Sequence, residues 1–235
     1  MEWLRARRWH TPKLERLFAN DELLAAFDVD RMRPEALLWQ TGYLTFAERL
    51  ESPGVPEYFL ALPNKEVRIA LNQALLETWL PQECDWPQTL RPLRHAIQAG
   101  DFPALRRHLE SLFAGIPHDW YRNNPITQYE GYWASVFYSH LAALGLDLVA
   151  EDVTSQGRID LTVKLPERIY LFEFKVVELE PEGKALEQLE ARAHADKYRA
   201  EGKPIHLVGI EFSREARNLA GFEVETTGYP SSPIQ

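Results

Sequence analysis

Between Gly157 and Lys175 the chain reads GRIDLTVKLPERIYLFEFK, and Asp160, Glu173 and Lys175 stand out there as charges among apolar residues. Two apolar runs, IDLTVKL and RIYLFEFK, are separated by a Pro-Glu turn, which predicts two short strands. Residues two apart in a strand share a face, so Glu173 and Lys175 lie side by side while Phe174 turns toward the core. If the strands pair as a hairpin, Asp160 lies across from them. Two carboxylates and an ammonium at the end of an apolar sheet are costly to bury without compensation. A hard divalent cation such as Mg²⁺, held by one or two carboxylates, supplies it. A bare Glu-x-Lys pair also serves as a solvated ion pair of little energetic worth. The elements around it distinguish the two cases.

Residues 127–144, TQYEGYWASVFYSHLAAL, predict an amphipathic helix stopped by Gly145. Tyr129, Trp133, Val136, Phe137, His140, Leu141 and Leu144 fall on one arc, with Gly131, Ser135 and Ser139 opposite. Glu130 lies inside the apolar arc. It either complements the helix dipole at the first turn or points into a polar site on the sheet. Three strands follow, LDLVAEDV, IDLTVKL and RIYLFEFKVV, then a helix from about Glu182 to Glu201 closed by Gly202. PIHLVGIEFS reads as a central strand and FEVE as an edge strand.

Asp160, a dozen residues, then Glu173-x-Lys175, in the order helix, three strands, helix, strand, resembles the PD-(D/E)XK nuclease superfamily. The segments LLWQTGYLTF, ALPNKEV, YEGYWASVFYSHLAALG, GRIDL, YLFEFK, ALEQL and HLVGIEFS are similar to one subfamily, the nuclease-like domain at the C-terminus of AAA-ATPase-like proteins. The resemblance implies an α/β, restriction-endonuclease-like core with a mixed sheet. It implies Mg²⁺ or Mn²⁺ held by Asp160, Glu173 and the Phe174 backbone carbonyl, with Lys175 positioning the attacking water. Glu130 completes the site, through a water or a second ion. The subfamily's second core helix tends to read Q-[IL]-x-x-K-x-Y. Here Gln188-Leu189 is kept, Arg192 stands at the lysine position and His194 at the tyrosine. Gln188 joins the catalytic set on this resemblance. Gln188 and Arg192, four apart, share a helix face. Arg192 can bind a phosphate of the substrate bidentately, or both can simply decorate a solvated surface.

The implied activity is metal-dependent phosphodiester hydrolysis of nucleic acid, DNA before RNA. The alternative is a docking or regulatory module whose acids persist as a salt-bridged relic beside an AAA-type ATPase. The chain contains no G-x-x-x-x-G-K-[ST] and so is not itself that ATPase. It reads as the C-terminal portion of that architecture, standing alone or cut from a longer protein. An ATPase domain or protein partner and a homodimer are the further partners the resemblance allows.

The N-terminal third predicts a mostly helical, winged-helix-like region over residues 1–80. LERLFA and DELLAAF carry helical spacing, Arg33-Pro34-Glu35 starts another turn, and YLTF with YFLAL forms the wing hairpin. Asn64 is placed to cap the following helix. Arg31 and Arg33 are the one basic pair on the third helix and acids surround them, which favours an adaptor over a DNA reader. Residues 81–125 form a helical linker. In it RPLRHAIQAG ends at Gly100, and Asp101 caps FPALRRHLESLFAG with Leu105, Leu109, Leu112 and Phe113 as its stripe. His118-Asp119 lacks a suitably spaced partner and reads as a loop. Residues 126–235 form the nuclease-like domain.

Composition narrows the classes further. The net charge is −9, unevenly spread: residues 126–235 carry 11 Lys and Arg against 18 Asp and Glu. That argues against a broad basic groove. One cysteine, Cys84, excludes an internal disulfide framework. The N-terminus lacks the apolar core of a signal peptide, and no run is long enough to span a bilayer, so a soluble, cytoplasmic protein is expected. There is no HExxH, no GxSxG and no cysteine pair.

Overall fold

The computed structural model describes residues 14–25, 33–50, 54–79, 86–116 and 130–227. His118-Asp119 lies outside them. The N-terminal elements are β1 (Leu17–Asn20), α1 (Asp21–Leu24), α2 (Pro34–Gln40), β2 (Thr45–Leu50) and β3 (Glu57–Ala61). The expected hairpin is present as β2 and β3, but β1 joins it to make a three-stranded antiparallel sheet of order β1-β3-β2. Within LERLFA only Leu14 and Glu15 are helical, as a 3-10 turn, and Leu17–Ala19 are strand. Leu17 and Ala19 pair with Leu60 and Tyr58, giving the second edge of β3 its hydrogen-bond partners. That gain outweighs a weak helical spacing.

Three helices follow: α3 (Lys65–Trp79), α4 (Trp86–Ala99) and α5 (Phe102–Ala114). Asn64 caps α3 by accepting the Val67 N–H at 2.8 Å. Asp101 caps α5 by accepting the Ala104 N–H at 2.9 Å, and Leu105, Leu109, Leu112 and Phe113 are all buried.

The remaining elements form the α/β part: α6 (Glu130–Ala143), β4 (Asp147–Thr154), β5 (Gly157–Lys164), β6 (Ile169–Val177), α7 (Lys184–Ala191), a 3-10 helix (His194–Glu201), β7 (Ile205–Ser213) and β8 (Asn218–Thr227). The five strands lie in sequence order, β4-β5-β6-β7-β8. Only β6 and β7 run parallel, because only they are joined by a helical crossover; the other pairs are antiparallel. The sheet is mixed, as expected.

Each face of the sheet has its own cover. Tyr170, Phe172 and Phe174 of β6, with Val208, Ile210 and Phe212 of β7, join the larger core that contains α6. There Trp133 stacks on Phe212 at 5.0 Å, and Phe137 meets Phe172 and Phe174 edge-on at 5.0 and 5.1 Å. Ser135 and Ser139, expected on a solvated side, are buried at 1% and 0% exposure. The reason is that α3 packs on α6 from behind, so α6 is enclosed on all sides. The same core runs on through Leu71, Leu60 and Leu38. On the other face, Ile169, Leu171, Ile205 and Leu207 pack against Leu189, Ala195 and Tyr198 from α7 and the 3-10 helix.

The single helix expected over 182–201 is divided. α7 ends at Ala191, Ala193 adopts a left-handed φ of 45°, and the chain continues as the 3-10 helix to Gly202. This break sends Arg192 and Gln188 in different directions.

Candidate active site

Strand alternation puts Glu173 and Lys175 on the α7 face of β6, while Phe174 is buried in the opposite core. The β5–β6 ladder extends from Lys164↔Ile169 to Leu161↔Phe172. One residue further, the Asp160 side chain takes over. Its Oδ2 accepts the Phe174 N–H at 2.9 Å. On its other side, β4 passes Asp160 with Glu151 in a left-handed conformation, φ 49°. Asp160 thus sits where the strands part, near enough for its charge to act on Glu173.

Glu173 is 1% exposed. Its Oε1 accepts from Lys175 Nζ at 3.4 Å and from the Gln188 amide. Its Oε2 is buried and has no hydrogen-bond partner among the described residues. Burial, and then the neighbouring Asp160 charge, push the Glu173 carboxyl up to about 7, against the opposing pull of Lys175. A buried carboxylate with an unmatched oxygen and a second acid beside it is an electrostatic deficit that a cation would cancel.

The donor set fits a hard divalent ion: Asp160 and Glu173 supply carboxylate oxygens, and Asp160 is bonded to the backbone of Phe174, the residue next to Glu173. Among the described residues no third acid, His or Cys joins the pair. Glu130 is the first residue of α6, and its side chain lies outside the described residues.

Gln188 reaches Glu173 because α7 lies almost directly on β7. The contact is made at Gly209, the register partner of Glu173. A Cβ there would stand 2.4 Å from the Leu186 backbone nitrogen. Beside it, Glu211 is 2% exposed and pairs in register with Lys175. Its carboxylate accepts the backbone N–H groups of Glu182 at 2.5 Å, Gly183 at 3.1 Å and Ala185 at 3.2 Å. These donors lead into and open α7, and a carboxylate there satisfies them and complements the dipole. Sequence reasoning passed over both residues. The signals were a glycine inside an otherwise bulky strand, which marks close backbone approach, and an acid in a strand buried along its whole length.

Arg192 is not brought to Glu173. Its guanidinium lies at the β4–β5 turn, with Nη1 3.3 Å from where a Cβ on Gly157 would be. Near it lies a third buried acid, Asp152, 3% exposed. Thr162 Oγ1 donates to it at 2.8 Å, and Tyr198 and Lys197 also bond to it. Burial alone would raise the Asp152 pKa, but the bonds from Lys197, Tyr198 and Thr162 outweigh it and hold the carboxyl below its ordinary value. This acid is satisfied where Glu173 is not.

The comparison with known families falls on the same elements. Residues 128–221 match the family model of the PD-(D/E)XK nuclease superfamily. The matched span runs from the start of α6 into β8 and includes Glu130, Asp160, Glu173, Lys175, Gln188 and Arg192. A protein of Azotobacter chroococcum mcd 1, named "Uncharacterized protein in vnfD 5'region", is 53% identical over 228 residues. The alignment covers 97% of this chain but 44% of that relative, so the chain spans less than half the relative's length. No solved structure matches. No helix among the described residues is long and apolar enough to cross a membrane.

Proposed function

We propose that this chain hydrolyses phosphodiester bonds of nucleic acid, DNA in the first instance, at Asp160, Glu173 and Lys175. The observation that carries the reading is Glu173: a buried carboxylate with one oxygen unmatched, beside a second acid and an ammonium. Superfamily membership of the matching model supports the same class of chemistry.

In this reading Asp160, Glu173 and the Phe174 carbonyl hold Mg²⁺ or Mn²⁺, with Glu130 as a further acid from α6. The ion, when bound, supplies Lewis-acid polarisation of the phosphate and lowers the pKa of water. The chain's own groups do the rest. Lys175, tied to Glu173, orients the water that attacks phosphorus and offsets negative charge on the phosphate as it becomes five-coordinate. Gln188 fixes the Glu173 rotamer, so that Oε2 is the oxygen presented. Asp160 is held in place by the Phe174 N–H.

The deciding experiment is calorimetric titration of Mn²⁺ into wild type and Asp160→Asn, followed by incubation of both with DNA and RNA. Binding and cleavage in wild type, both lost in the variant, are expected. Cleavage surviving in purified, metal-loaded Asp160→Asn would sink the assignment.

A second reading is favoured by the acidity of the chain and by its length. With a net charge of −9 and a relative more than twice as long, this unit would dock beside an AAA-type ATPase domain and regulate it. Absence of Mn²⁺ binding in wild type would move the assignment to that reading.

A further inference from the structure

Strands β4 and β5 change face at the same rung. In β4, Leu148 and Ala150 pack in the core under α6. Asp152, two residues on, instead bonds to Thr162 and Tyr198 on the side covered by α7 and the 3-10 helix. In β5, Val163 and Leu161 belong to the α6 core, whereas Ile159, two residues back, belongs to the opposite one with Leu189 and Tyr198. Regular alternation keeps residues two apart on one face. Ala150 pairs with Leu161 and Asp152 with Ile159, so both strands turn over at the rung where Glu151 lies opposite Asp160. There Glu151 takes a left-handed φ of 49°, which is costly for any residue with a side chain.

The reversal is held on each strand. Asp152 meets Thr162, Tyr198 and Lys197 only because β4 has turned over, and Ile159 is fully buried only because β5 has done the same. These gains offset the strain at Glu151. The Glu151–Arg158 ion pair, 3.3 Å between groups 36% and 58% exposed, adds little. It is the backbone at residue 151 that the reversal needs.

The consequence falls on Asp160. The β5–β6 ladder stops at Leu161↔Phe172, and the Phe174 N–H beyond its end is met by the Asp160 carboxylate at 2.9 Å. We infer that Glu151 is a positioning residue for the carboxylate site: its left-handed backbone reverses β4 and β5 together, ends the ladder with β6, and so frees Asp160 to set its carboxylate against β6 at Phe174. The inference rests on the metal-site reading for what Asp160 then holds. The placement of Asp160 is read without metal.

The test compares Glu151→Gly, Glu151→Gln and Glu151→Val in the full chain. Glycine takes the left-handed conformation freely, and β-branched valine resists it. Glutamine keeps the backbone preference and removes the charge. In EDTA, amide hydrogen exchange by NMR reads the Phe174 N–H against the amides of β7 and β8. Calorimetric titration then gives Mn²⁺ affinity. Glu151→Gly and Glu151→Gln are expected to keep both, with Glu151→Gly melting at the higher temperature because the strain is gone. Glu151→Val is expected to shift the population toward a regular rung. Phe174 protection and Mn²⁺ affinity should each fall about tenfold, while β7 and β8 stay protected as in wild type.

Wild-type Phe174 exchange and Mn²⁺ affinity in a folded Glu151→Val overturn the inference. So does Mn²⁺ affinity lost alike in Glu151→Gly and Glu151→Gln, which would assign the role to the carboxylate instead of the backbone. Where valine prevents folding, the other pair decides: equal melting temperatures for Glu151→Gly and Glu151→Gln show no strain at residue 151 and overturn it as well. A wild type that binds no Mn²⁺ fails the metal-site reading, and Phe174 exchange in EDTA still tests the placement of Asp160.

Discussion

A Cβ on Gly209 would lie 2.4 Å from the backbone nitrogen of Leu186. That approach sets α7 on the sheet, and with it the position of Gln188 over Glu173. Gly209→Ala must push α7 outward against backbone rather than a flexible side-chain tip. The expected cost is about 1–3 kcal/mol of stability, read by urea denaturation. Mn²⁺ affinity should fall with it, because Glu173 loses its Gln188 clamp. Unchanged stability would show that α7 does not rest on Gly209.

Glu211 holds the other end of the same helix. Glu211→Gln keeps an acceptor oxygen but removes the charge that faces three backbone donors. A loss of about 1–2 kcal/mol is expected. Hydrogen exchange should rise first in α7, before the rest of the sheet.

Asp160→Asn retains an oxygen for the Phe174 N–H, so it should fold like wild type by circular dichroism. Cleavage should drop by on the order of 10²–10³-fold or more. Lys175→Ala should show the same separation of folding from activity. A variant that unfolds would indicate that these charges serve the fold.

Glu173 makes stability depend on pH in a defined direction. The unfolded carboxyl ionises near 4.5, whereas the folded one keeps its proton to about 7. Between these values the unfolded state has lost a proton that the folded state retains. Stability therefore falls as pH rises through this window and stays low above it. In EDTA, Glu173→Gln should stabilise the chain by up to about 3 kcal/mol at alkaline pH and by little at acid pH. Thermal melts across the window check this, and equal effects at both ends would refute it.

Asp152 carries the opposite sign. Its carboxyl is held below the ordinary value in the folded state, so its contribution is present above the unfolded pKa and lost as acid titrates the folded group. Asp152→Ala leaves the Tyr198 and Thr162 hydroxyls without their acceptor, and a cost of about 1–3 kcal/mol is expected at neutral pH. Denaturant midpoints at neutral and acid pH separate the two regimes.

The facing of Glu173, Phe174 and Lys175 was legible in the chain because strand periodicity is local. The alternation in YLFEFK places Glu173 and Lys175 on one face and Phe174 on the other without reference to any neighbour. Caps at Asn64 and Asp101 were legible for the same reason, since a cap acts on residues three positions away. Element order from residue 130 onward followed from the apolar runs and their turns.

What the tertiary structure decided involves partners distant in the chain. Leu17–Ala19 of LERLFA became strand because β3 offered an unpaired edge about forty residues later. Ser135 and Ser139 are buried because α3 closes over α6. The split of the 182–201 helix separates Arg192 from Gln188, and Ala193 in a left-handed conformation carries no sequence signal of its own. Glu173 owes its raised pKa to burial under α7 and to the charge of Asp160 on another strand. Local spacing selected the residues; burial and long-range pairing set their electrostatics, because desolvation depends on what the rest of the chain packs around them.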